Sequence, residues 1–246
     1  MIHEEKNRII ALDGPAGSGK SSTAQLLAQK LNYKLLDTGA YYRIATLYCM
    51  MNYIDLQIPS SVLSAVSHLV APCEQVECIK SEHDGMHTEF EVSLDPNQRF
   101  VLLDGEDISS QIRTEAVTKC IHYISSNTDV RQMLIMLQQK IVQENANTGI
   151  VLEGRDTTDV VAPNASLKIL LTASNYARSL RRAKQNGEDV DITSEAIANR
   201  DSIDANTTNF LDSSVKRNDV KVIDNSDLTL EETTQKILDL FVFDKH

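Results

Sequence analysis

The stretch Arg8-Ile-Ile-Ala-Leu-Asp-Gly14-Pro-Ala-Gly-Ser-Gly-Lys20-Ser21-Ser22 decides the fold. It opens on a short apolar run, passes into a glycine-rich turn, and leads into Thr23-Ala-Gln-Leu-Leu-Ala-Gln-Lys-Leu31, whose apolar residues recur at helical spacing. The order is strand, loop, helix. From Gly14 to Ser21 the residues match G-x-x-x-x-G-K-[ST]. Glycines let the backbone curl until several N–H groups converge on phosphate oxygens, and the helix N-terminus adds partial positive charge. Gly14, Pro15, Ala16, Gly17, Ser18, Gly19, Lys20, Ser21 and Ser22 are therefore the expected ATP-binding residues. Lys20 would reach the β- and γ-phosphates, and Ser21 would offer its hydroxyl to the Mg²⁺ carried by the nucleotide. The bland alternative is a turn that merely joins strand to helix, and the pattern's four fixed positions argue against it. A P-loop alone does not set a reaction, because ATPases, GTPases and kinases share it.

Outward from this unit, apolar runs at Tyr33 to Leu36, Ile150 to Glu153, Leu167 to Thr172 and Val220 to Ile223 alternate with helical patterns. That alternation predicts an α/β fold with a parallel sheet covered on both faces. Helices are expected at Ser60 to Val70, Thr114 to Ser126 and Asp129 to Asn145, with Thr128-Asp129 capping the last, and a closing helix at Thr229 to Phe243. The stretch 71–113 reads differently. Cys73 to Lys80, Thr88 to Leu94 and Arg99 to Leu103 resemble strands, with Asp84-Gly85 suited to a tight hairpin and Asp95-Pro96-Asn97 to a wider turn. The expected organisation is a core of 1–70 and 114–246 with a small antiparallel β-rich insert over 71–113.

The chain has 246 residues and a formal net charge of −11. Such a charge argues against nucleic acid or an anionic membrane as a partner, since both would repel it at long range, and it requires any phosphate site to be locally basic. Cys49, Cys73, Cys78 and Cys120 form no C-x-x-C pair, so reduced thiols in a cytoplasm are expected. Residues 1–8 contain no apolar leader-like run, and no apolar stretch reaches the roughly 18 residues of a membrane span. His83-x-x-x-His87 straddles the expected hairpin turn and lacks further ligands at zinc-site spacing.

A second motif, Leu36-Asp-Thr38-Gly-Ala-Tyr-Tyr42-Arg43, sets hydroxyls, an aromatic and a guanidinium at the C-terminal end of an expected strand, the edge where open α/β sheets bind ligands. Arg43 could pair bidentately with a monophosphate, while Thr38 and Tyr42 could bond a sugar or base. A capped helix start with Tyr42 in the core is the alternative reading. Further on, Arg178, Arg181 and Arg182 fall at i, i+3 and i+4 in a helical stretch beginning near Ser174. Three like charges on one face repel one another until an anion arrives, and guanidinium groups stabilise the spread charge of a phosphoryl-transfer transition state. A solvated basic face paired with Glu188, Asp189 and Asp191 would have the same composition.

Taken together, Ala11-Leu-Asp-Gly-Pro-Ala-Gly-Ser-Gly-Lys-Ser-Ser22 and Leu36-Asp-Thr-Gly-Ala-Tyr-Tyr-Arg43 resemble bacterial cytidylate kinases. The resemblance continues through Gly105-Glu-Asp-Ile-Ser109, Ile112-Arg-Thr114, Val130-Arg131, Gly154-Arg-Asp156 and Arg200-Asp201, covering nearly the whole chain in order. It implies a three-layer P-loop kinase fold of the nucleoside monophosphate kinase type, with the β insert beside the acceptor nucleotide and a helical lid over about 174–205. It further implies ATP-dependent phosphorylation of CMP or dCMP, with Lys20, Arg178, Arg181 and Arg182 as the catalytic set and Mg²⁺ entering with ATP. By the same resemblance, Thr38, Tyr42 and Asp204 would contact the sugar, Arg43, Arg155 and Arg200 would surround the CMP phosphate, and Arg131 and Asp156 would read cytosine. A carboxylate suits the cytosine N4 amino group because it accepts hydrogen bonds, and arginine donates to N3 and O2. An ordinary ion pair is the alternative for Arg131 and Asp156. The implied partners are ATP and CMP or dCMP, with neither nucleic acid nor membrane, for a cytoplasmic monomer.

The chain departs from the family pattern around the acceptor. Thr207 stands where a further arginine is usual, and Ile203 and Ala205 where basic residues are common. His122 replaces a small residue such as serine, and Thr157-Thr158 follows Gly154-Arg-Asp156 where Gly-Thr is common. Losing one buried guanidinium contact to a phosphate would cost about 2 to 5 kcal/mol, with Lys216 and Arg217 the nearby cations in sequence that would offset it. These departures leave two other readings: a nucleotide-binding P-loop protein with weakened or altered acceptor choice, UMP included, and a P-loop kinase for a non-nucleotide metabolite.

Overall fold

The computed structural model describes residues 7–70, 88–187, 189–191, 193–195, 197–198 and 218–243. These residues divide into two compact units: one within Met1–Thr38, Asp95–Asn97 and Gln139–His246, the other within Gly39–Leu94 and Gln98–Gln138.

The first unit is built on five strands: β1 (Ile9–Asp13), β2 (Lys34–Asp37), β6 (Ile150–Gly154), β7 (Leu167–Thr172) and β8 (Val220–Asp224). They pair in the order β2-β6-β1-β7-β8, and every pairing is parallel. Every residue of β1 and of β6 is buried, which is why those segments read as unbroken apolar runs rather than as an alternation. On one face, Ile10, Leu12, Val151, Ile169, Leu171 and Ile223 pack with Ala24 and Leu27 of helix α1 (Lys20–Leu31) and with Ile237 and Phe241 of the last helix, α7 (Leu230–Phe243). Because β1 has β6 on one side and β7 on the other, the loop leaving its C-terminal end lies where the strand order reverses, the position at which open α/β sheets hold ligands.

The ends of these elements follow from local chemistry. Asn32 closes α1 in the left-handed region, and the Tyr33 N–H turns back to the Ala28 carbonyl at 2.9 Å. Tyr33 therefore belongs to the helix exit, and β2 starts at Lys34, one residue later than the apolar run suggests. Thr229 and Glu232 form a reciprocal capping box before α7. The Thr229 N–H, and after it the Thr229 hydroxyl, hold the Glu232 carboxyl below its ordinary range.

The second unit contains helices α2 (Thr38–Met51), α3 (Pro59–Val70), α4 (Glu115–Ser125) and most of α5 (Thr128–Asn145), together with a three-stranded sheet. In that sheet β3 (Phe90–Val92), β4 (Val101–Leu103) and β5 (Glu106–Asp107) pair antiparallel in sequence order. Two of the expected insert strands are present, trimmed at their ends. The third, Cys73 to Lys80, lies outside the described residues with Asp84-Gly85, His83 and His87. β5 was not expected, although Asp104-Gly105 announces it. These two residues lie at φ 51 and 81, the pair of positive values that a two-residue hairpin turn requires. Asp95 makes the wider turn by accepting the Asn97 N–H at 2.8 Å.

One expected cap is corrected. Asn127, not Thr128-Asp129, begins α5, because its side-chain oxygen accepts the Val130 N–H and its amide donates to the Pro59 carbonyl. Helices α3, α4 and α7 begin and end within one residue of the sequence reading, α6 (Asn175–Asn186) begins one residue after Ser174, and α1 begins at Lys20, three residues before the helical pattern read from Thr23.

Cys49 is fully buried in α2 and Cys120 is partly exposed on α4, and both are free thiols. Burial pushes the Cys49 thiol up to about 11, so at pH 8 only about one molecule in a thousand carries its thiolate. Iodoacetamide at pH 8 is expected to label Cys120 and spare Cys49 in the folded protein, with both labelled in denaturant. Peptide mass mapping reads the difference.

Candidate active site

The loop between β1 and α1 lies wholly within the first unit. Ser18 N–H turns back to the Pro15 carbonyl at 3.3 Å, and Gly19, in the left-handed region, caps α1, a helix end whose first N–H groups have no intrahelical acceptor. The Lys20 side chain is buried and curls over the loop, its Nζ donating to the Gly14 carbonyl at 2.6 Å and the Pro15 carbonyl at 2.8 Å. Ser18 Oγ is buried and has no hydrogen-bond partner among the described residues, an arrangement that costs free energy unless a ligand supplies one. The Ser21 hydroxyl donates to Glu153 Oε1 at 2.7 Å. That pair sets a hydroxyl beside a carboxylate at the C-terminal edge of the sheet, the hard oxygen donors that Mg²⁺ takes.

Two of the three clustered arginines are tied into this loop. Helix α6 (Asn175–Asn186) starts at Ser174, whose hydroxyl accepts the Ala177 N–H. Arg178 is 4% exposed and donates from Nη1 to the Ala16 carbonyl at 3.1 Å, while Nη2 donates to Asn175 Oδ1. Arg181 donates to the side chain and carbonyl of Asn225, in the turn that follows β8, and Asn225 Nδ2 donates in turn to the Ser18 carbonyl at 2.9 Å. Arg182 is half-buried on the same helix. A chain of −11 net charge thus carries Lys20, Arg178 and Arg181 around one loop, the local basicity that a phosphate site needs. Near the same turn, the Ser226 hydroxyl and N–H hold the Asp224 carboxyl below its ordinary range, with a smaller contribution from the Arg181 charge.

At the neighbouring strand end, Thr38 is buried and donates its hydroxyl to the Glu153 carbonyl at 2.9 Å. Gly154 leaves no room for a side chain, since a Cβ there would meet Thr38 Oγ1 at 1.8 Å. Arg155 is half-buried, and Asp156 is 8% exposed in the left-handed region at φ 57. The chain then widens into a π-helical turn over Thr157–Val161, with Val161 N–H bonded to the Asp156 carbonyl and Ala162 N–H to the Thr157 carbonyl.

In the second unit, Tyr41 is buried edge-on against Phe90, with ring centroids 6.0 Å apart, while Tyr42 is only half-buried. The core position thus belongs to Tyr41. Arg43 donates from Nη1 to the Ile112 carbonyl at 3.1 Å and to the Thr118 hydroxyl at 2.9 Å. His122 sits on α4 with its Nδ1 at 2.8 Å from the Lys119 carbonyl and its ring against Tyr123. Arg131 is half-buried on α5. Arg200, Ile203, Asp204, Ala205, Thr207, Lys216, Arg217 and Glu188 lie outside the described residues.

The sequence reading missed two features of the loop's surroundings. Glu153 was visible only as the acidic end of an apolar strand, and Asn225 as a polar residue following the last strand. Both became candidates once the strand order brought their ends to the P-loop.

The cytidylate kinase family model matches residues 10–242. The chain belongs to the cytidylate kinase family. Among cytidylate kinases, that of Rhodococcus jostii is 35% identical over 94% of this chain and 93% of its own length. That of Enterococcus faecalis is 37% identical over 93% of this chain and 92% of its own. In fold, the chain is similar to a crystal structure of an uncharacterized protein of Eubacterium ventriosum, with a TM-score of 0.50 and 14% identity over 96% of this chain and 98% of that one.

Gly154→Ala is expected to destabilise the protein by about 1–3 kcal/mol or more, because Thr38 is held by its own hydrogen bond and cannot move aside freely. The shift in the urea unfolding midpoint measures this.

Proposed function

We propose that the protein transfers the γ-phosphoryl group of ATP in line to CMP or dCMP. The observation that carries this reading is the P-loop, with Lys20, Ser18 and the Ser21–Glu153 pair at the switch point of the sheet, in a chain of the cytidylate kinase family.

In this reading the loop N–H groups and Ser18 Oγ bind the triphosphate, and Lys20 exchanges its two carbonyl partners for phosphate oxygens. Ser21 and Glu153 would hold the Mg²⁺ that enters with ATP, whose charge would offset the negative charge developing in phosphoryl transfer. Asp13 is not available for that role, since both of its carboxylate oxygens are occupied by hydrogen bonds. Arg178, Arg181 and Arg182 stabilise charge on the transferring group, in a lid over about 174–205. Of these, Arg178 is already pointed at the loop through Ala16. Thr38, Tyr42 and Asp204 contact the sugar, Arg43, Arg155 and Arg200 the acceptor phosphate, and Arg131 and Asp156 the cytosine edge. The strained backbone at Asp156 supports a binding role, because left-handed non-glycine residues gather at ligand sites. The β-rich stretch 71–113 is assigned to the acceptor side. Positioning and electrostatics carry such a reaction, so no protein nucleophile is required.

The same reading places the protein in the cytoplasm as a monomer without nucleic-acid or membrane partners. What supports the part on nucleic acid and anionic membranes is the net charge of −11, which repels phosphate-bearing surfaces at long range.

Incubation with ATP, Mg²⁺ and each nucleoside monophosphate is expected to give turnover that favours CMP and dCMP. Comparable turnover of AMP or UMP with none of CMP would overturn the substrate assignment. Lys20→Ala is expected to lower kcat by about 10²–10³-fold. Glu153→Gln is expected to raise the Mg²⁺ concentration for half-maximal rate several-fold, read from a Mg²⁺ titration at fixed ATP.

A further inference from the structure

Asp13 ends β1, directly before the P-loop, and none of its surface is exposed. A carboxylate in that position is costly unless every lone pair finds a donor. Its donors come from one place. Oδ1 accepts the Thr157 N–H at 2.8 Å and the Thr157 hydroxyl at 2.6 Å. Oδ2 accepts the Thr158 N–H at 3.0 Å and the Thr158 hydroxyl at 2.7 Å. Thr157 and Thr158 are themselves fully buried. They follow Arg155 and Asp156 directly and open the π-helical turn. The residue that launches the P-loop therefore also grips the turn behind the two residues assigned to the acceptor phosphate and base. Two of the four bonds come from hydroxyls, and these exist only because hydroxyl-bearing side chains occupy both positions. A Gly-Thr sequence could not supply both.

From this geometry we infer that Thr157 and Thr158 are positioning residues for acceptor recognition. Anchored on Asp13, they hold the left-handed Asp156 and the neighbouring Arg155 in register with the P-loop. They act on the acceptor nucleotide and leave ATP binding alone. The inference rests on the phosphotransferase reading above and adds to it residues that touch neither substrate. Hydrogen bonds to a buried charge are strong enough that losing the two hydroxyls should register as an effect of about tenfold or more.

The test compares T157V/T158V, which keeps the shape and both N–H donors and removes the hydroxyls, with T157S/T158S, which keeps the hydroxyls. CMP and ATP binding are measured separately by calorimetry, alongside KM for each and kcat. The expected result for the valine pair is CMP affinity weakened about tenfold, KM for CMP raised in step, a narrowed preference for CMP over UMP, and ATP affinity within about twofold of wild type. The serine pair restores CMP binding. Unchanged CMP affinity, equal weakening of ATP and CMP, or a serine pair as impaired as the valine pair would each overturn the inference. If the double variant does not fold, the two single valine variants carry the same comparison. Failure of wild type to bind CMP would sink the substrate reading instead. The positioning role is then judged by amide hydrogen exchange, where the valine pair must speed exchange over 157–162 and leave 24–31 unchanged. Unchanged exchange over 157–162 overturns it.

Discussion

A carboxylate buried at the end of the central strand constrains everything built around it. Asp13 sits between β6 and β7, removed from water, and among the described residues its carboxylate is satisfied by hydrogen bonds from Thr157 and Thr158. Because one end of this interaction is the first step of the P-loop and the other is the turn after β6, the two loops cannot move independently without leaving an ionised group unsatisfied. The close approach of Thr38 to Gly154 ties the end of β2 to the same point. Three parallel strands thus have their C-terminal ends locked together by polar contacts, and the candidate site stands on that lock.

The basic groups around the P-loop show how an acidic chain prepares a place for anions. Arg178 and Arg181 are not a solvated stripe. One donates to a P-loop carbonyl, and the other holds the Asn225 turn that itself braces Ser18. Guanidinium groups suit this work because several fixed donors can satisfy backbone carbonyls while the positive charge stays beside the loop. Lys20 is restrained in the same manner by the Gly14 and Pro15 carbonyls. In each case the cation is preorganised by backbone oxygen, which limits the reorganisation required when phosphate oxygens replace it.

Much of the fold was legible in order of strength of signal. Buried parallel strands read as apolar runs because both faces are covered, and all five were found in the sequence within a residue or two. Helix ends were legible where a side chain caps them, as at Ser174 and Thr229. Errors arose where competing local donors lie side by side. Asn127 outcompetes its neighbours for the first turn of α5, and Tyr33 is claimed by the exit of α1. The short strand β5 was missed because two residues carry no periodicity, although their turn does.

By itself the sequence determined the P-loop, the parallel α/β class and the family, because those depend on residue types at short, fixed spacing. Which of two adjacent tyrosines is core, that Arg181 serves a turn 44 residues later, that the Glu153 carboxylate meets the Ser21 hydroxyl while Asp13 is taken by Thr157 and Thr158, and that Thr157-Thr158 is a clamp, were decided only by the tertiary structure. The physical reason is that a hydrogen bond is specified by where two groups meet in space, and strand order, which no local pattern encodes, sets that meeting. The nine residues from Gly14 to Ser22 announce a phosphate site, and the strands on either side of them decide which side chains attend it.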